Sequence, residues 1–197
     1  MSEKLNKKIK NFPNILKYSG YEAKNLNKML RKKNPANLEI KKQEEKLNIE
    51  LDKLIGAKNE YVYAHDTLTN YDYEVLSKWY KKRIGKIIKF PNFLSSSTNE
   101  WKGYSVIYRI KLSKDSRGKD ISFIVNKKGE SEILFKSNTS FKITGITKYI
   151  ELSETESSDC EIVLSDNIFI NDTDLRNLNK EDSDSKSNLS LSDLNII

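Results

Sequence analysis

Glu130 and Glu132 stand two apart in GESEILF, residues 129–135, whose other positions have the texture of a buried strand. Residues two apart in a strand point to the same face, so the two carboxylates project together, about 6–7 Å apart along the strand rise. Like charges held that close repel unless a cation or water lies between them, and packing gains nothing from the arrangement. Charge concentrated in this way suits the stabilisation of a cation or the removal of a proton. A solvated strand edge would hold the same pair in water. Upstream, FPNFLSSSTNEW, residues 90–101, reads as a strand ending in three serines. Ser95 and Ser97 share a face by the same alternation, and a hydroxyl there can donate to a carboxylate and fix its rotamer. Taken alone, the serines also fit an ordinary serine-rich loop.

Helices precede strands along the chain. Residues 14–30 have helical spacing, with Ile15, Leu16, Ala23, Leu26, Met29 and Leu30 on one face. A proline interrupts at residues 34–36. Residues 38–55 form the stronger helix, with Ile40, Leu47, Leu51, Leu54 and Ile55 apolar and Gly56 as its stop. Residues 61–63 read as a short strand, and 73–83 as a helix closed by Gly85. Residues 90–97, 105–112, 121–125, 131–135, 140–143 and 160–164 read as strands by alternation or β-branched content. That order predicts an α+β domain over residues 12–166. It is flanked by a flexible basic segment, 1–11, and an acidic tail, 167–197, expected to be disordered.

Composition narrows the function classes. The chain has 197 residues and a net charge of +7. From residue 151 onward there are 12 acidic and 3 basic residues, a net of −9, which leaves +16 on residues 1–150. A basic body suits an anionic ligand, although solvated lysine faces explain it equally well. The lysines lack aromatic platforms at regular spacing, so nucleic acid ranks last as a partner. One cysteine and one histidine exclude a disulfide framework and argue against a zinc site; no metal is expected. No apolar run reaches the roughly 18 residues of a membrane span. The N-terminus lacks the apolar stretch of a signal peptide, so the expected location is the cytoplasm, or a target cell reached without Sec export.

The order of motifs resembles the arginine-specific mono-ADP-ribosyltransferases of the R-S-E type, particularly the clostridial binary-toxin catalytic subunits and their bacterial and phage relatives. ILKYSGYEAKNLNKMLR resembles that family's opening helix, in which a tyrosine-containing segment leads into "IN..LR". The helix LNIELDKLI and the strand YVYAHDTL follow in the family's order. FLSSST looks like its Ser-Thr-Ser strand and YSVIYRIKL like the next one. GESEILFKSNTSFKITGI is similar to its Glu-x-Glu segment, polar turn and following strand. The resemblance spans residues 15–164. It implies N-terminal helices on a mixed, two-sheet β core with an NAD cleft. It also implies an enzyme that moves ADP-ribose from NAD to a protein arginine and releases nicotinamide, as a toxin or effector.

The resemblance also implies residue roles. Glu132 matches the catalytic glutamate, which binds the nicotinamide ribose and stabilises the ribosyl cation. Glu130 matches the residue that positions and deprotonates the acceptor guanidinium. Ser95 matches the serine that orients the catalytic glutamate, with Ser96 and Ser97 supporting the NAD site. Residues 123–129 lie where the family has its substrate-recognition turn, and Trp101 lies where an aromatic can face nicotinamide. One element departs from the pattern. The family's first strand carries Tyr-Arg, and its arginine contacts the NAD phosphates; here the strand reads Tyr63-Ala64-His65. Ala64 holds the arginine position, and a one-residue shift brings His65 there, unless His65 is a plain strand-end histidine. Arg83 or Lys78 offers another source of charge. The alternative function is a binding module of the same fold without turnover. The acceptor protein is left open, and the acidic tail is a candidate for a delivery or regulatory partner.

Overall fold

A computed structural model describes residues 10–32, 37–66, 78–100, 106–125, 131–147 and 160–168. The chain opens with helix α1 (Pro13–Lys17), a π turn (Tyr18–Glu22) and helix α2 (Ala23–Arg31), which run on as one rod. Pro13 starts the rod, where the N–H that proline lacks would have had no helical partner. Helix α3 (Leu38–Asp52) is capped by Asn37, whose side chain accepts from Glu39 N. The apolar spacing read from the sequence is the packed face: Ile15, Leu26, Leu30, Ile40, Leu47 and Leu51 are buried together.

Glu50 of α3 is the unexpected member of that interface. It is 4% exposed. Its carboxylate accepts from Asn14 N (3.0 and 3.1 Å), from Ile15 N (2.9 Å) and from the Asn14 side chain. A carboxylate from one helix thus caps the N-terminus of another, satisfying orphan N–H groups and opposing the positive end of the helix dipole.

The strands are β1 (Tyr61–Asp66), β2 (Ile87–Phe90), β3 (Leu94–Ser97), β4 (Val106–Lys111), β5 (Lys119–Asp120), β6 (Glu132–Phe135), β7 (Thr139–Thr147) and β8 (Cys160–Ser165). They lie in the order β2-β7-β8-β4-β1-β3-β6-β5, mixed in direction because β4 and β8 run parallel. The α+β class is as expected. The two expected sheets are joined edge to edge into one, and the join is narrow: β1 meets β3 at the single pair Tyr63↔Ser97. One face packs a core of Val62, Ala64, Tyr108, Ile110, Ile133, Phe135, Phe141 and neighbours. On the other face of β3 and β6, Leu134 and Phe93 pack with the N-terminal helices.

Local chemistry explains where the sequence expectations slip. Residues 121–125 form a one-turn helix, α4 (Ser122–Val125), in place of a strand. Asp120 Oδ1 accepts from Ser122 N at 2.9 Å, and Ile124 N and Val125 N both donate to Ile121 O. The buried positions are Ile121 and Ile124, three apart as on a helix, while Phe123 is exposed. Residues 90–97 split at Pro91 into β2 and β3. Helix α3 ends at Asp52, four residues before Gly56. Gly56 is required for a different reason: a Cβ there would stand 2.5 Å from Ser116 O. Gly85 follows the helical turn at residues 78–81 with φ 84, and its N–H donates to Ile143 O at 2.8 Å; residues 73–77 of the expected helix lie outside the described residues. The segments 1–9 and 169–197 lie outside the described residues.

Candidate active site

Ser95 Oγ donates to Glu132 Oε1 at 2.7 Å. The register pairs Ser95 with Leu134 and Ser97 with Glu132, so Ser95, Ser97, Glu132 and Leu134 share one face of the β3–β6 ladder. Ser95 is exposed and Glu132 half-buried, so the pair is open to a ligand. Ser96 points the other way: it is 5% exposed, and its Oγ donates to Ile133 O at 2.8 Å, a bond that ties the two strands together. Ser97 Oγ accepts from Asn99 N at 3.1 Å and shapes the chain as it leaves β3.

The strand carrying Glu132 is fixed from both ends. Ile121 N donates to Glu132 O at 3.0 Å. Beyond its other end, the turn into β7 is pinned to α3: Ser137 Oγ donates to Glu44 Oε1 (2.6 Å), Asn48 Nδ2 to Ser137 Oγ (2.9 Å), and Lys136 Nζ pairs with Asp52 at 2.7 Å. Asn138 turns the chain at φ 61, a region that asparagine tolerates. β3 is held by the N-terminal rod. Asn27 Nδ2 donates to Tyr18 Oη (2.9 Å), Asn27 Oδ1 accepts from Phe93 N (3.1 Å), and the Tyr18 and Phe93 rings lie 5.5 Å apart. Burial raises the Tyr18 phenol far above its usual range; the Asn27 hydrogen bond opposes this, and the Glu132 charge adds to it. Tyr18 therefore stays a neutral phenol within the field of Glu132.

The backbone pairs Glu132↔Ser97, Ser97↔Tyr63 and Tyr63↔Arg109 form one row across β6, β3, β1 and β4, roughly 14 Å long at about 4.8 Å per strand. Tyr63 and His65 share the Glu132 face by alternation. Ala64 is 1% exposed and packs into the core on the opposite face. Burial lowers the His65 pKa, which favours the neutral imidazole. Burial, followed by the Glu100 charge, raises that of Tyr63, which stays protonated. Arg83 donates to Trp79 O at 3.0 Å and stacks on the Trp79 ring at 3.8 Å. The cation on the row is Arg109, 3.5 Å from Glu161 and 5.4 Å from the Tyr61 ring centre. Sequence reasoning gave no role to Arg109, nor to Tyr18 and Asn27, which lie within the quoted opening motif. A lone arginine inside the apolar strand VIYRIK is the signal that could have found the first. Glu130 and Trp101 lie outside the described residues. Among the described residues no His, Cys, Asp or Glu group could hold a metal ion, and no helix is long and apolar enough to cross a membrane.

A family model described as ADP-ribosyltransferase exoenzyme matches residues 1–171. No curated protein sequence matches the chain significantly. Among solved structures, the fold is similar to Plx2a, an ADP-ribosyltransferase toxin from Paenibacillus larvae, with a TM-score of 0.65 and 19% identity over 79% of this chain and 85% of that one. C3larvin toxin, an ADP-ribosyltransferase from the same organism, has a TM-score of 0.59 and 22% identity over 84% and 88% of the two chains. BECa, the ADP-ribosylating toxin of a binary enterotoxin of C. perfringens, solved with NADH, has a TM-score of 0.63 and 22% identity over 83% of this chain and 43% of its own.

Proposed function

The chain belongs to the ADP-ribosyltransferase exoenzyme family, and on that premise we propose that it transfers ADP-ribose from NAD to an arginine of a target protein, as a toxin or effector. NAD is consumed as a substrate. The bond between the ribose anomeric carbon and the nicotinamide nitrogen breaks, and neutral nicotinamide leaves. The ribosyl cation is then captured by a guanidinium nitrogen, which gives up a proton. The observation that carries this reading is the Ser95–Glu132 hydrogen bond, a carboxylate locked in one rotamer on an open face. Glu132 supplies the negative charge opposite the developing cation. Glu130, two residues back on the same chain, accepts the guanidinium proton. Nicotinamide release and labelled-NAD transfer to agmatine, a small guanidinium acceptor, test the scheme together. Glu130→Gln should lose transfer about a hundredfold while NAD hydrolysis stays within severalfold of wild type. A wild type that neither releases nicotinamide nor labels agmatine ends the reading.

Arg109 is the residue we assign to the phosphate contact, in place of the arginine that the first strand lacks at Ala64. An arginine is always charged and forks onto phosphate oxygens, whereas burial disfavours the charged form of His65. The row from Glu132 to Arg109 is long enough to lay a ribose at one end and a pyrophosphate towards the other. Arg109→Ala should raise the KM for NAD about tenfold with kcat nearly unchanged, as the loss of uniform binding requires. Steady-state nicotinamide release at varied NAD checks it.

A further inference from the structure

Next to the strand that bears Glu132 lies an open groove of about 520 Å³, walled by residues 53–59, which follow α3, and by Asp120 and Phe123. Two large apolar side chains stand in water there: Ile55 is 82% exposed and Phe123 53%. The loop carrying Ile55 is not slack. Leu54 N donates to Leu51 O (3.0 Å), Lys119 Nζ to Leu54 O (3.0 Å) and Ala57 N to Gly118 O (2.8 Å), and Gly56 lies against the Ser116 backbone. Ile55 is thus held outward on a pinned loop. Lys53 and Lys58, both exposed, flank it. Among the described residues the groove's one carboxylate, Asp120, accepts from Ser122 N at the start of α4. Its floor is bonded directly to the site: Asp120 pairs with Ile133, and Ile121 N donates to Glu132 O at 3.0 Å.

We propose that this groove is the docking site for the acceptor protein, and that it takes an apolar side chain flanked by acidic residues so that a nearby arginine is presented to the glutamates. An exposed apolar anchor ringed by charge is what a partner surface uses. The lysines and the +16 of residues 1–150 set the sign of that partner. A second copy of this basic surface would be repelled. The proposal rests on the transferase reading above, and the test separates the two.

The experiment measures labelled-NAD transfer to agmatine and to the proteins of a cell lysate in parallel, with wild type, Ile55→Asp and the double variant Lys53→Glu/Lys58→Glu. Agmatine is too small to need the groove. Expected is a loss of protein labelling of about tenfold or more in each variant, with agmatine labelling and nicotinamide release unchanged. Equal protein labelling in wild type and both variants overturns the proposal while leaving the transferase intact. So does a parallel fall in agmatine labelling, which marks a damaged fold. A rise in labelling would mean that the chain's own acidic segment covers the groove, and a wild-type dimer dissociated by Ile55→Asp would mean that a second copy fills it; either overturns the proposal. No labelling of either acceptor by wild type brings down both readings.

Discussion

Replacing Glu132 by glutamine should lower nicotinamide release from NAD by about a thousandfold or more, with folding unaffected. The substitution keeps the shape of the side chain and an oxygen that can still accept from Ser95 Oγ. What it removes is the charge. As the glycosidic bond stretches, the ribose becomes positive, and a neutral amide offers little to that charge. Ser95→Ala is the companion experiment. It leaves the carboxylate charged but frees it to rotate, removing one charge-assisted hydrogen bond of about 1.5–3 kcal/mol. Only the part expressed in the transition state slows the reaction, so a loss of about tenfold to a hundredfold is expected. The order of the two effects is the diagnostic. If Ser95→Ala were as damaging as Glu132→Gln, the serine would be doing more than orienting the glutamate. Nicotinamide release at saturating NAD, with thermal unfolding as the control for integrity, measures both.

The second large effect is on stability. Glu50→Ala should cost about 3 kcal/mol, because it strips the acceptor from two backbone N–H groups at a buried helix start. For a chain of this size that corresponds to a fall in Tm of about 6–12 °C. Glu50→Gln, which keeps one acceptor oxygen and loses the charge, should fall between alanine and wild type. The damage should not stay local. The rod that Glu50 caps also delivers Tyr18 and Asn27 to Phe93, directly ahead of the strand holding Ser95. Differential scanning calorimetry gives the loss, and nicotinamide release below the lowered Tm shows whether Ser95 is still in register.

Some of this was legible in the residues and some was not, for physical reasons. Both long helical faces were legible, because apolar spacing of 3.6 residues leaves a repeated trace, and the positions it names pack, except Ile55, which lies beyond the helix end and is exposed. The Ser95–Glu132 contact was legible because alternation fixes facing and the motifs fix order. Residues 121–125 were misread because three apolar side chains at alternate positions look like a strand. Asp120, outside the window, decides the matter by bonding Ser122 N. Glu50 could not be found from spacing, since its partners are 35 and 36 residues away. Gly56 was assigned to a helix end that comes four residues earlier, because its actual constraint is the Ser116 backbone, far off in sequence. Arg109 was missed for a related reason: its place on the Glu132 row depends on which strands neighbour β1, and that order is a property of the whole sheet.

The meeting of β1 and β3 has a mechanical consequence. β1 pairs with β4 at six positions and β3 with β6 at four, but β1 and β3 share only Tyr63↔Ser97. The sheet is therefore two leaves sewn by one stitch. Ser95 and Glu132 ride on the smaller leaf, and Tyr63 and Arg109 on the larger. A dinucleotide reaching from Glu132 to Arg109 acts as a clasp across that seam, and its binding energy is also adhesion between the leaves, about 2.7 kcal/mol at a hundredfold excess over Kd. In the proposed reaction the bond that breaks lies at one end of the clasp, so the ADP-ribose portion still spans the seam until the modified acceptor departs.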